Sequence, residues 1–132
     1  MRLLFIFLST LILSSGIALL IAYIQISSPW PAHAGVDERG MAYVFLLGIN
    51  IALVLASSTI FLNLIEKIRN ETLYSFFSFF ALPIILTVNI LSIVGFSVSY
   101  AIVFWPFFVV LTLHFIFYRK YVNAKLSLKD KI

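Results

Sequence analysis

Cysteine is absent and histidine occurs only twice. A disulfide scaffold is therefore excluded, and a thiolate or multi-histidine metal centre has no residues to build on. Charge is scarce as well. Charged residues make up 11% of the 132-residue chain and hydrophobic ones 63%, where a soluble domain carries roughly 25% and 45–50%. That scarcity excludes a disordered chain and a soluble nucleic-acid-binding domain, both of which need charge in quantity. A mean hydropathy of +1.13 cannot be hidden inside one small globule, so the medium of this chain is lipid.

A membrane helix takes about 20 mostly apolar residues, because each adds ~1.5 Å across a hydrocarbon core of ~30 Å. Four stretches meet that length, at 3–25, 41–65, 73–96 and 99–118, and none contains Asp, Glu, Lys or Arg. The sequence predicts an all-α, four-helix antiparallel transmembrane bundle as a single domain over 1–132, with an outer loop at 26–40 and a basic tail at 119–132. All but one of the nine Lys and Arg fall on one side of this arrangement: Arg2, Lys67, Arg69, Arg119, Lys120, Lys125, Lys129 and Lys131. Arg39 stands alone on the other side. Positive residues stay cytoplasmic, so both termini are expected in the cytoplasm, with the chain in a bacterial inner (plasma) membrane. Tyr23, Trp30, Tyr43 and Tyr100 would mark the outer interface, and Tyr74, Tyr118 and Tyr121 the inner one. Arg2, the first apolar run and Ala32-His33-Ala34 imitate a cleavable secretory signal. The run is longer than the ~7–15 residues of a signal core, so it reads as the first span.

Apolar helices gain little from meeting in lipid, and contact depends on small residues and interhelical hydrogen bonds. Thr10, Ser14, Ala18 and Ala22 recur every fourth residue on the first span, and Gly48, Ala52 and Ala56 on the second, giving each helix a small-residue row for packing. Asn50 and Asn89 fall at similar depths below the outer interface and are expected to form a buried polar pair. Pro83 and Pro106 each remove a backbone donor, and helix kinks are expected there. His114 is the one ionisable side chain inside a span, with Asn63 and Ser78 at its level. Haem or metal binding would need further ligands at that depth, and the spans supply none, so no cofactor and no metal are expected.

Outside the spans, Trp30, His33, Asp37, Glu38 and Arg39 form the candidate partner surface on the outer loop, since function concentrates on loops. Arg119, Lys120, Lys125, Lys129 and Lys131 are expected to contact anionic headgroups along the cytoplasmic leaflet, which makes the net charge of +4 a lipid signal and not one for nucleic acid. No carboxylate lies in a span, and the serine pairs at 14–15 and 57–58 have no histidine near them in sequence, so no catalytic residue is assigned and an enzyme is not expected. What remains is a small protein acting by intramembrane contact with another membrane protein or a second copy of itself: an accessory or assembly subunit, or an immunity-type inhibitor of a membrane-inserted toxin. The Phe76-Phe77-Ser78-Phe79-Phe80 block and the run 104–108 offer wide faces for such docking. The alternative is a small oligomeric transporter or channel with a neutral pathway near Asn50 and Asn89.

Overall fold

In the computed structural model, residues 1–26, 38–95 and 98–129 are described, apart from the side chains of 22, 25–26, 38–42, 94, 98–103 and 128–129. The described residues are 96% helical and contain no strand. In chain order they form α1 (Arg2–Ile26), α2 (Glu38–Ala56), a 3-10 segment (Ser57–Leu64), α3 (Glu66–Asn70), α4 (Thr72–Val94) and α5 (Val98–Lys129). Three of the helical stretches are long and apolar enough to cross a bilayer: Arg2–Ile21, Tyr43–Leu64 and Thr72–Ile93. α1 packs most extensively against α2 and α5, while α4 rests on the 3-10 segment and also touches α2 and α5.

The second apolar stretch is not one continuous α-helix, as its composition alone would suggest. It changes pitch where three hydroxyl residues, Ser57, Ser58 and Thr59, follow one another. Ser57 Oγ donates to the Val54 carbonyl at 2.7 Å and Thr59 Oγ1 to that of Ala56 at 3.4 Å. Such local bonds from Ser and Thr compete with the α-helical ladder. A 3-10 helix repeats every three residues, and the buried members of this segment are Ser57, Ile60 and Asn63, a straight row that an α-helix would wind out of line. Eight residues is long for a 3-10 run, which seldom exceeds three or four. Burial of that row against α4 is the tertiary contact that sustains it. Ile65 then turns extended, with φ −75° and ψ 123°, and α3 follows, its Arg69 donating to Glu66 at 3.0 Å. At the far end of α4, Gly95 has φ +88°, a conformation that side chains resist, and its N–H closes on the Leu91 carbonyl at 3.0 Å. One residue type thus ends α4 and permits the short connection to α5.

The core joins all four long helical stretches through Leu3 and Ile6, Leu53, Val54 and Ile60, Phe79 and Phe80, and Phe104, Phe107, Leu111, Tyr118 and Val122. Two expectations about faces are revised here. On α1, Thr10, Ser14 and Ala18 are buried, and the Ala22 side chain lies outside the described residues. On α2 the inward face is Asn50, Leu53 and Val54; Gly48 is exposed with open space around it, and Ala52 and Ala56 are only half-buried. The Gly48 row is therefore not a close-approach ridge, because the bulkier residues a few positions along set the contact. The phenylalanine block is likewise less a docking face than an internal seam. Phe79 and Phe80 are buried, Phe107 is buried in the second run, and Phe76, Phe77 and Trp105 look outward.

Pro83 and Pro106 are buried inside helices that run on past them. α2 begins at Glu38, so the loop is shorter than its composition suggested. α5 carries on through Lys129, which makes the basic tail the continuation of a helix and not a separate segment.

Candidate functional site

The polar groups of the bundle concentrate at the end that carries Arg2, Arg69 and Arg119. Arg119 follows the last apolar stretch directly, yet it is only 8% exposed. Its Nη1 donates to the Arg69 carbonyl at 2.7 Å, and its Nη2 to Thr72 Oγ1 at 2.6 Å and to Asn123 Oδ1 at 3.2 Å. The guanidinium fork suits this work because its donors are fixed in one plane and reach separate acceptors at once. It ties α5 to the end of α3 and the first residue of α4. Arg119 is therefore a buried clamp and not the headgroup contact expected of it, because the α5 face that carries Tyr118 and Val122 is still packed at this level. Lys120 and Lys125, on the same stretch, are exposed. Lys129 lies in α5 with its side chain outside the description, and Lys131 is outside the described residues altogether.

A second chain of hydrogen bonds lies beside the clamp. Asn63 Nδ2 donates to Ser78 Oγ and to the Ile60 carbonyl, and Ser78 Oγ donates onward to the Ser75 carbonyl at 2.7 Å. This binds the end of the 3-10 segment to α4. Asn63 is also part of the floor of a cavity of about 230 Å³, whose wall and rim include Arg2, Arg69, Tyr118, Tyr121 and Lys125. The Arg2 guanidinium carbon stands 3.5 Å from the centre of the Tyr121 ring, a cation–π contact between the start of α1 and the last third of α5.

His114 joins the same two helices one turn deeper. Its Nε2 is 3.0 Å from Ser9 Oγ and its Nδ1 is 3.0 Å from Thr10 Oγ1. Thr10 has a single hydroxyl hydrogen, and it goes to the Ile6 carbonyl at 2.7 Å. Thr10 then accepts from Nδ1 in the tautomer that carries the ring hydrogen there, the one in which Ser9 donates to Nε2. Ser9 also lies 3.1 Å from the Ile6 carbonyl, an acceptor it can use if Nε2 carries a hydrogen. Serine and histidine are in contact here, which the sequence pairs at 14–15 and 57–58 did not foretell. Among the described residues no carboxylate is bonded to the imidazole, and the contact joins α1 to α5. Asn63 and Ser78, expected near His114 in depth, bond to each other.

The expected asparagine pair is not formed. Asn50, 4% exposed, donates from Nδ2 to Ser15 Oγ at 2.6 Å, fastening α2 to α1. Asn89 is exposed, and its Nδ2 turns back to the Ile85 carbonyl of its own helix at 2.7 Å. The inward residues of α4 are Ser75, Phe79 and Pro83, with Leu86 and Ile90 packed beside them. Asn89 belongs instead with exposed Leu82, Ile85 and Ser92, spaced as one outward stripe.

Trp30, His33 and Asp37 lie outside the described residues, as do the side chains of Glu38 and Arg39, which sit in the first turn of α2. Among the described residues no group of His, Cys, Asp and Glu is placed to hold a metal ion. No protein-family model, curated protein or solved structure matches this chain.

Proposed function

We propose that the chain is a non-enzymatic integral membrane protein of the plasma membrane, with four spans and both termini cytoplasmic, that works through contact between the outward face of α4 and a helix of a partner membrane protein. The observation that carries this reading is the position of Asn89. An amide at hydrocarbon depth is costly unless bonded, and polar side chains in spans almost always face a bundle interior. One Nδ2 hydrogen of Asn89 is satisfied within α4, but the carbonyl oxygen and the second hydrogen have no partner among the described residues. Leu82, Ile85, Asn89 and Ser92 recur at helical spacing, so a partner helix laid along the stripe would meet all four and cover the amide. An accessory or assembly subunit and an immunity-type inhibitor both work this way. A neutral transport pathway would draw on Asn50 and Asn89 together, and their separation in the bundle favours the contact reading.

The test is recovery of the partner from native membranes in a mild detergent. Asn89→Leu is expected to lower recovery roughly three- to thirty-fold, the range that corresponds to the ~0.6–2 kcal/mol of one interhelical polar contact in lipid. The thermal midpoint of the isolated chain should stay unchanged. Unaltered recovery, or a solute flux in reconstituted vesicles that Asn89→Leu abolishes, would defeat the proposal.

A further inference from the structure

The cavity at the basic end has no role in that contact, and its chemistry points to a ligand of its own. Its floor is buried, formed in part by Asn63, Tyr118 and Val122, and its rim is exposed and basic, with Arg2 and Lys125. The one acid on it, Glu66, is already paired with Arg69 at 3.0 Å. Among the described residues the remaining cations are uncommitted: Lys125 has no hydrogen-bond or ion-pair partner there, and Arg2 has only its contact with Tyr121. A cation–π contact engages the face of a guanidinium and leaves its in-plane N–H groups for an acceptor. The cavity also lies where the apolar run of α1 begins, with Leu3 on its wall, which places it at the level of a headgroup layer. At about 230 Å³ it is smaller than the ~300–1,000 Å³ that drug-sized ligands occupy, which suits a headgroup and not a whole amphiphile.

We infer that this cavity is a binding site for the phosphate of an anionic phospholipid, with Arg2 and Lys125 as the phosphate-facing cations. Two cations with no acidic partner among the described residues select an anionic headgroup over a zwitterionic one, whose ammonium would meet the same positive rim. Basic recesses between membrane helices on the cytoplasmic side are known to take acidic headgroups in this manner. The inference needs only that the basic end meets a leaflet, and it does not depend on the partner helix proposed for α4.

The test uses the full chain, purified and delipidated in a non-ionic detergent and offered equal amounts of phosphatidylglycerol and phosphatidylcholine, with bound lipid read by native mass spectrometry. Inorganic phosphate is titrated in a parallel arm. Phosphatidylglycerol is expected to be retained at least about five-fold over phosphatidylcholine. Lys125→Gln and Arg2→Gln are each expected to cut that preference roughly five-fold, while Lys120→Gln, which removes the same charge from an exposed position off the cavity, changes it less than about two-fold. An equal loss with Lys120→Gln and Lys125→Gln would mean general attraction to an acidic leaflet and would overturn the site, as would equal retention of the two lipids. Displacement of the lipid by millimolar inorganic phosphate would reassign the cavity to a soluble phosphate ester and overturn the lipid.

Discussion

Arg119→Leu is expected to destabilise the isolated chain by about 3–5 kcal/mol, read as the shift in a reversible denaturation midpoint in detergent. The side chain makes two short charge-assisted hydrogen bonds, to the Arg69 carbonyl at 2.7 Å and to Thr72 Oγ1 at 2.6 Å. Each such bond contributes ~1.5–3 kcal/mol net. Leucine would remove both bonds, and with them the tie they make between α5, the end of α3 and the start of α4. Arg119→Lys should recover only part of the loss, because one ammonium on a flexible stem does not span two acceptors on different elements as the planar fork does. Thr72→Val removes a single acceptor and should cost less than half as much as Arg119→Leu. If Arg119→Leu moved stability by less than about 1 kcal/mol, the residue would be the solvated headgroup contact that its place in a basic tail suggested.

The second large effect belongs to the aromatic seam between α4 and α5. Phe79 is fully buried, edge-on to Phe115 with centroids 5.2 Å apart and tilted against Tyr118 at 5.5 Å. In a water-soluble core Phe→Ala costs ~3–5 kcal/mol. In lipid the transfer part of that figure shrinks, since the unfolded reference is apolar too, and the cost that remains is lost packing and the cavity left behind. Phe79→Ala is therefore expected to destabilise by about 2–4 kcal/mol. Phe77→Ala, two residues away and 54% exposed, should cost less than about 1 kcal/mol. Equal losses at the two positions would place the block on the lipid-facing surface.

The helical stretches were legible because the signal is a composition one: long apolar runs with no formal charge have no other stable state in a bilayer. Which face of each helix turns inward was much less so, because a helix that is apolar all round carries little angular information. Asn50 and Asn89 match in depth, and nothing in the sequence says that one faces α1 and the other faces outward. The change of pitch at Ser57 was missed for a related reason: three adjacent hydroxyl residues are a local signal that hydropathy averages away. Arg119, in contrast, left a trace. Phe104, Phe107, Leu111, Tyr118, Val122 and Leu126 form one stripe at intervals of three, four and seven residues, and that stripe runs from the apolar stretch into the basic tail without a break. A tail that keeps an inward face is a helix still packed on the bundle, and the arginine beside that face is placed to be buried.

The claim on which the rest depends is that this chain threads the bilayer as an even number of helices, with Arg2, the α3 turn and the start of the basic tail on one side. Because the protein has no cysteine of its own, single cysteines introduced as Asp37→Cys, Lys67→Cys and Lys120→Cys can be tested one at a time with a membrane-impermeant maleimide. The account predicts that position 37 is labelled in intact cells, and that 67 and 120 are labelled only after the membrane is opened. Labelling of 67 and 120 from opposite compartments, or of 37 and 67 from the same one, would contradict it.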